Sequence, residues 1–171
     1  MMDFKKIIRD VPDFPQKGIV FRDITPVLQS AEHLASAVNA LKELAGGVDF
    51  DLVTGPESRG FIFGVPLALA LGRGFIPVRK EGKLPRRALR KDYALEYGTA
   101  AIEMHADAVA PGQRVLVVDD LLATGGTCAA ICDLIEQAGG SVAACVFFIE
   151  LGGLNGRAAL EGREVRAVVR Y

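Results

Sequence analysis

The sequence predicts an α/β fold with a central, mostly parallel sheet flanked by helices. Apolar runs of strand length alternate with longer helical patterns over most of the chain, the signature of strands covered by crossover helices. The length, 171 residues, suits one domain that buries roughly two-thirds of the surface its unfolded chain exposes. No internal repeat, low-complexity stretch or long linker divides it, so residues 1–171 are read as a single domain.

The elements follow in order. Residues 1–30 carry VPDFPQKGIVFRDITPVL, whose prolines suit an extended cap more than a sheet strand. Ala31–Ala45 is an amphipathic helix ended by Gly46 and Gly47. Asp51–Gly55 is a short strand, followed by the turn PESRG and a helix over Phe61–Leu71, closed by Gly72. Phe75–Arg79 is the next strand. Gly82–Gly98 is polar, basic and long, and a loop of that size in a compact domain is usually a lid or a disordered excursion. A strand segment, Ala100–His105, follows it. Arg114–Asp119 is a buried strand, Thr127–Ala138 a helix, Ser141–Ile149 a strand, and Val165–Arg170 an edge strand.

Composition excludes several classes of function. A formal charge of −1 supplies no basic field for nucleic acid or a membrane surface. The basic residues Arg79, Lys80, Lys83, Arg86, Arg87, Arg90 and Lys91 cluster locally, without the interleaved aromatics that nucleic-acid binding would use. MMDFKKIIRD lacks the apolar core of a signal peptide, and no apolar run is long enough to span a bilayer. Cys128, Cys132 and Cys145 form no CxxC pair, so neither a zinc site nor a disulfide framework is expected. Cys128 and Cys132 share a helix face and read as buried small hydrophobes. A reducing, cytoplasmic location is the expectation. His33 and His105 have no partner set for nucleophilic or metal chemistry and read as structural.

The segment Val115–Thr127, VLVVDDLLATGGT, carries the chemistry. Asp119 and Asp120 emerge at the carboxyl end of a buried strand, the edge at which open parallel sheets bind ligands. Ala123, Thr124, Gly125, Gly126 and Thr127 then lead straight into a helix. Two glycines permit a tight turn with exposed N–H groups, the helix start adds a positive dipole end, and the threonines add hydroxyls. These features suit a phosphate monoester, and the absence of GK[ST] argues against a Walker-type loop. The adjacent carboxylates suit vicinal ribose hydroxyls, because an ionised carboxylate only accepts hydrogen bonds.

VVDDLLATGGT resembles the motif with which type I phosphoribosyltransferases bind phosphoribosyl pyrophosphate (PRPP), in its adenine-specific form. The resemblance continues through GIVFRDITPVL, ESRGFIFG, VRKEGKLP and LEYG in family order, covering nearly the whole chain. It implies the type I fold with a small N-terminal hood (1–30) and a flexible lid loop (82–98). It further implies pyrophosphate contacts from Ser58, Arg59, Gly60, Arg79, Lys80 and Lys83, and an adenine sandwich of Phe21 and Leu151 with the backbone near Arg22 reading the base. Glu96 is the implied catalytic glutamate, and Tyr97 helps close the lid.

The implied reaction converts adenine and PRPP to AMP and pyrophosphate. Mg2+ is the implied cofactor, held mainly by PRPP oxygens and water without a dedicated protein site. The resemblance also implies a homodimer. A transferase for another purine base, and a noncatalytic PRPP sensor, remain open alternatives. Glu81 departs from the family pattern, adding an acid where a neutral or basic residue is commoner.

Overall fold

A computed structural model describes residues 2–94 and 99–171. The chain divides into two compact units, Met1–Ala40 and Leu41–Tyr171.

In the first unit, β1 (Arg9–Pro12) and β2 (Val20–Asp23) pair antiparallel, with Asp10 opposite Arg22 and Val11 opposite Phe21. The expected cap is therefore extended but not strand-free. Pro12 ends its strand and Pro15 falls in the connecting loop, so neither removes a ladder donor from the interior of the hairpin. Within the loop, Asp13 Oδ1 accepts a hydrogen bond of 2.6 Å from the Gly18 N–H. The short α1 (Thr25–Leu28) is anchored by Asp23, whose carboxylate accepts from the Thr25 N–H at 2.9 Å and its hydroxyl at 2.8 Å. Helix α2 (Ala31–Leu44) begins after Ser30, whose Oγ accepts from the His33 N–H at 3.3 Å.

The second unit is built on β3 (Leu52–Pro56), α3 (Arg59–Ala70), β4 (Gly74–Lys80), β5 (Ala88–Ala94), β6 (Thr99–His105), β7 (Arg114–Leu122), α4 (Gly126–Gln137), β8 (Ser141–Glu150) and β9 (Val165–Arg170). The sheet has seven strands in the order β5-β6-β4-β3-β7-β8-β9. Strands β4, β3, β7, β8 and β9 run parallel, while β6 and β5 are antiparallel additions at one edge. The predicted mostly parallel sheet is present, with Val165–Arg170 at its other edge.

Burial on both faces explains the unbroken apolar run of β7. Val115 and Val117 pack with Ile131, Leu134 and Ile135 of α4. The alternating residues Leu116 and Val118 are equally buried and point to the opposite face. Phe63 of α3 meets Phe148 of β8 there, with ring centroids 4.9 Å apart. Each such side chain, fully buried, contributes about 1.5–3 kcal/mol.

The stretch expected as one long loop, 82–98, contains β5. Its sequence, ALRKDYA, hides a period of two beneath its charges. Leu89 and Tyr93 pack on the core, and Lys91 between them reaches Asp133 of α4 at 2.7 Å. Arg90, on the other face, pairs with Glu81 at 2.7 Å and Asp92 at 2.6 Å. Residues 95–98 lie outside the described residues.

The parallel strands β3, β4, β7 and β8 all end on one edge, at Pro56, Lys80, Leu122 and Glu150. The segments that follow them carry most of the residues singled out from the sequence.

Candidate active site

Beyond Leu122 the backbone turns through Ala123–Gly125 into α4. Gly125 is the N-cap residue and has a φ of +84°, a conformation a side chain would strain. A Cβ at this position would also overlap the Gly156 carbonyl oxygen. The turn and helix start enclose a cavity of about 80 Å³, lined by Asp119, Leu121–Cys128 and Phe147. It is small, polar and closed by the unpaired N–H groups of a helix N-terminus, which suits one phosphate group.

Asp119 and Asp120 stand beside this cavity, as the sequence places them. Asp119 Oδ1 accepts from the Asp120 N–H at 2.8 Å, which folds its carboxyl back over the strand end. Burial raises the Asp119 carboxyl well above the usual aspartate range, and the neighbouring Asp120 charge adds to the rise. Burial also raises Asp120, against the opposing pull of Arg59. Two adjacent carboxylates held this way gain from donors such as ribose hydroxyls.

The turn after β3 brings the second expected anion site to the same edge. Arg59 Nε lies 3.1 Å from Asp120 Oδ2. Gly60 packs so closely that a Cβ would come within 2.5 Å of Pro56 Cδ and 3.1 Å of Asp119 Oδ1. Ser58 and Arg59 are exposed at the helix start, and the Glu57–Ser58 peptide is cis.

Arg79 and Lys83 join them through a residue to which the sequence reading gave no role. Glu57 accepts from Arg79 Nε at 2.6 Å on one carboxylate oxygen and pairs with Lys83 Nζ at 2.8 Å on the other. Burial pushes the Glu57 carboxyl up, but the two cations outweigh it and bring its pKa down to about 2. Lys80 is exposed at the end of β4. The extra acid, Glu81, is tied to Arg90, so its charge is locally compensated.

Of the residues expected around a base, Leu151 lies in the second unit, immediately after β8, and its N–H donates to the Leu122 carbonyl at 2.9 Å. Phe21 and Arg22 lie in the hairpin of the first unit. Phe21 meets Phe14 edge-on at 5.3 Å, and Arg22 forms an ion pair with Asp10. Glu96 and Tyr97 lie outside the described residues.

A second network was also missed. Glu150 is buried at the end of β8 and accepts from Arg157 Nε at 2.7 Å, Arg157 Nη2 at 2.8 Å and Arg170 Nη2 at 2.9 Å. A lone acid ending a buried apolar strand was the available signal, because such a group must be paired.

At this edge Glu57, Asp120 and Glu150 are each paired with arginine or lysine, Asp119 accepts from the Asp120 N–H, and among the described residues no three of these carboxylates converge on a point. That donor set fits a magnesium ion bound chiefly through substrate oxygens. The three thiols do converge: Cys128, Cys132 and Cys145 place their sulfurs within 4.8 Å of one another. All three are buried, as expected of Cys128 and Cys132, in the core cluster beneath α4. No described helix is long and apolar enough to cross a membrane.

Comparisons with known proteins agree with this geometry. The model of the phosphoribosyl transferase domain family matches residues 21–165. The adenine phosphoribosyltransferase of Lachnoclostridium phytofermentans is 53% identical over 171 residues, covering 100% of this chain and 98% of that protein. The crystal structure of the adenine phosphoribosyltransferase from Thermoanaerobacter pseudethanolicus has a TM-score of 0.96 at 50% identity, covering 98% of each chain. The Saccharomyces cerevisiae enzyme, solved with an imino-altritol bisphosphate and adenine, has a TM-score of 0.91 at 39% identity, covering 96% of each chain.

Proposed function

The chain belongs to the phosphoribosyl transferase family, among the adenine phosphoribosyltransferases, and from that premise we propose that it serves purine salvage, transferring the 5-phosphoribosyl group of PRPP to adenine. The products are AMP and pyrophosphate. One observation carries the reading: a phosphate-sized cavity, a carboxylate pair and an arginine-bearing helix start meet at one sheet edge, linked by the Arg59–Asp120 ion pair.

Each group then has a task. Ala123, Thr124, Gly125, Gly126 and Thr127 hold the 5-phosphate, and Asp119 and Asp120 accept from the ribose hydroxyls. Ser58, Arg59, Gly60, Arg79, Lys80 and Lys83 receive the pyrophosphate. Phe21 and Leu151 flank adenine while the backbone at Arg22 reads its edge. The bond from the anomeric carbon to pyrophosphate oxygen breaks, its electron pair leaving with pyrophosphate. The bond to adenine N9 forms with inversion, through an oxocarbenium-like transition state. The N9 proton passes to Glu96 as general base, and Tyr97 helps the lid close over the reactants. Mg2+, when bound with PRPP, supplies charge neutralisation on the phosphate oxygens. The arginines and lysines of this chain orient the leaving group and add to that neutralisation.

We further infer a single functional domain with residues 1–30 as its hood. A homodimer is supported by the apolar outer face of α3, where Val65 is 38% and Leu69 77% exposed. Three buried, unbridged cysteines suit a reducing cytoplasm. A PRPP-dependent assay with adenine, hypoxanthine, guanine and xanthine tests the reaction. Turnover of adenine alone is expected, and inactivity with adenine overturns the assignment.

A further inference from the structure

The segment after β8 is strapped down at both ends. At its start, the Tyr171 N–H donates to the Glu150 carbonyl and the Gly152 N–H to the Tyr171 carbonyl, each at 2.9 Å. Leu151 is bonded to Leu122 of the phosphate strand. At the other end, Gly156 lies so close to the phosphate turn that a Cβ there would overlap the Ala123 carbonyl oxygen. The next residue, Arg157, reaches back across the strap to grip Glu150 with two nitrogens, and its Nη1 donates to the Val165 carbonyl at 2.8 Å.

A bidentate guanidinium–carboxylate pair is the most directional ion pair available to a protein. Here it is half-shielded from water: the Glu150 side chain is 4% exposed and that of Arg157 40%. The Arg157 bonds hold the Glu150 carboxyl below its ordinary range, so the pair is charged throughout the neutral region. Closing residues 150 and 157 onto each other makes one compact unit of the intervening chain. That unit touches the phosphate turn at Gly156 and ends, five residues away along the chain, beside the Leu151 wall.

We propose that Glu150 and Arg157 are positioning residues that couple the two substrate sites, so that filling the 5-phosphate turn sets the Leu151 wall for adenine. The proposal rests on reading Ala123–Thr127 as the phosphate turn and Leu151 as part of the base site. Neither Glu150 nor Arg157 touches the reacting atoms. Their contribution is to make adenine bind better when the phosphate site is occupied, and by reciprocity the converse.

Calorimetric titration of adenine, with and without saturating ribose 5-phosphate plus pyrophosphate, reads this coupling. In the wild type, the occupied phosphate site tightens adenine by about five-fold or more. In Arg157→Met, and in the gentler Glu150→Gln, the ratio falls toward one. Arg157→Lys restores only part of it, because an ammonium cannot make the two parallel bonds. Arg170→Met, which removes the more exposed partner and leaves the bidentate pair, keeps the wild-type ratio.

A ratio near one in the wild type, or an unchanged ratio in folded Arg157→Met and Glu150→Gln, overturns the proposal. A merely structural role lowers thermal stability without moving the ratio. Wild-type transfer from PRPP to adenine is measured alongside. Its failure strikes the proposed reaction, whereas active wild type with unchanged coupling in the variants strikes this inference alone.

Discussion

Arg59 sets its Nε 3.1 Å from Asp120 Oδ2, and so ties the turn after β3 to the carboxylates near the carboxyl end of β7. β3 and β7 are neighbouring parallel strands, and the pair spans the gap between their carboxyl ends. In the proposed reaction this is the junction between ribose and leaving group. Asp120 is 3% exposed, so its ionised form depends on that guanidinium.

Arg59→Met should therefore do two things. Losing the proposed charged contact to pyrophosphate should raise KM for PRPP by about ten-fold or more, as for other charge-assisted hydrogen bonds. Arg59 also opposes the burial that raises the Asp120 carboxyl. Without Arg59 the carboxyl rises further, so the acid limb of kcat/KM for PRPP moves to higher pH. A pH–rate profile of the variant checks the direction.

Asp119→Asn should stabilise the protein while weakening the site. The folded-state pKa of Asp119 is raised by burial and by Asp120, so above the unfolded value its ionisation costs stability, fully so once pH exceeds the folded pKa. Asparagine keeps an acceptor for the Asp120 N–H and removes the charge. A gain of about 1 kcal/mol at neutral pH, or roughly 2–4 °C in Tm, is expected. KM for PRPP rises in the same variant, and thermal melts with steady-state kinetics read both effects.

Glu57 gives the opposite sign. Its folded pKa of about 2 lies below the ordinary 4.5, so its contribution is complete above about 4.5 and disappears as pH falls toward 2. Glu57→Gln should cost about 1 kcal/mol at pH 7, since both cationic partners are partly exposed to solvent, and the difference from wild type should vanish near pH 2. Arg79 and Lys83, released from Glu57, should bind pyrophosphate several-fold more tightly, seen as a lower product-inhibition constant. Denaturant melts across the acid range and inhibition kinetics test the two parts.

The legibility of these features in the sequence follows their locality. The turn proposed to hold the 5-phosphate stands out in the sequence because strand, carboxylates, glycines and helix start are contiguous in Val115–Thr127. β5 was not, because its buried alternation of Leu89 and Tyr93 is masked by Arg90, Lys91 and Asp92, whose partners lie elsewhere. The β1–β2 hairpin was missed because prolines count against a strand only where they interrupt a ladder. The partners of Glu57 and Glu150 could not be named from the sequence for another reason. Those partners stand 22 and 26 residues away for Glu57, and 7 and 20 away for Glu150, on segments that only the folded chain brings together. Glu96 and Tyr97, outside the described residues, rest on the family resemblance.

Gly125→Ala separates the turn's two demands on its glycine. Gly72 also has a positive φ, +63°, but nothing lies within 4 Å of a Cβ built there. Gly72→Ala therefore reports backbone strain alone, about 1 kcal/mol. At Gly125, with φ +84°, the new methyl would overlap the Gly156 carbonyl and lie 2.9 Å from the Ala159 Cβ. Relieving that overlap displaces the turn from the strap, adding about 1–3 kcal/mol of overpacking to the strain. Gly125→Ala should thus lose clearly more stability than Gly72→Ala and should bind ribose 5-phosphate at least ten-fold more weakly. Gly72→Ala should bind it as the wild type does. Equal melting temperatures and equal affinities for the two variants would show that the close packing of the turn on Gly156 is not what shapes the phosphate site.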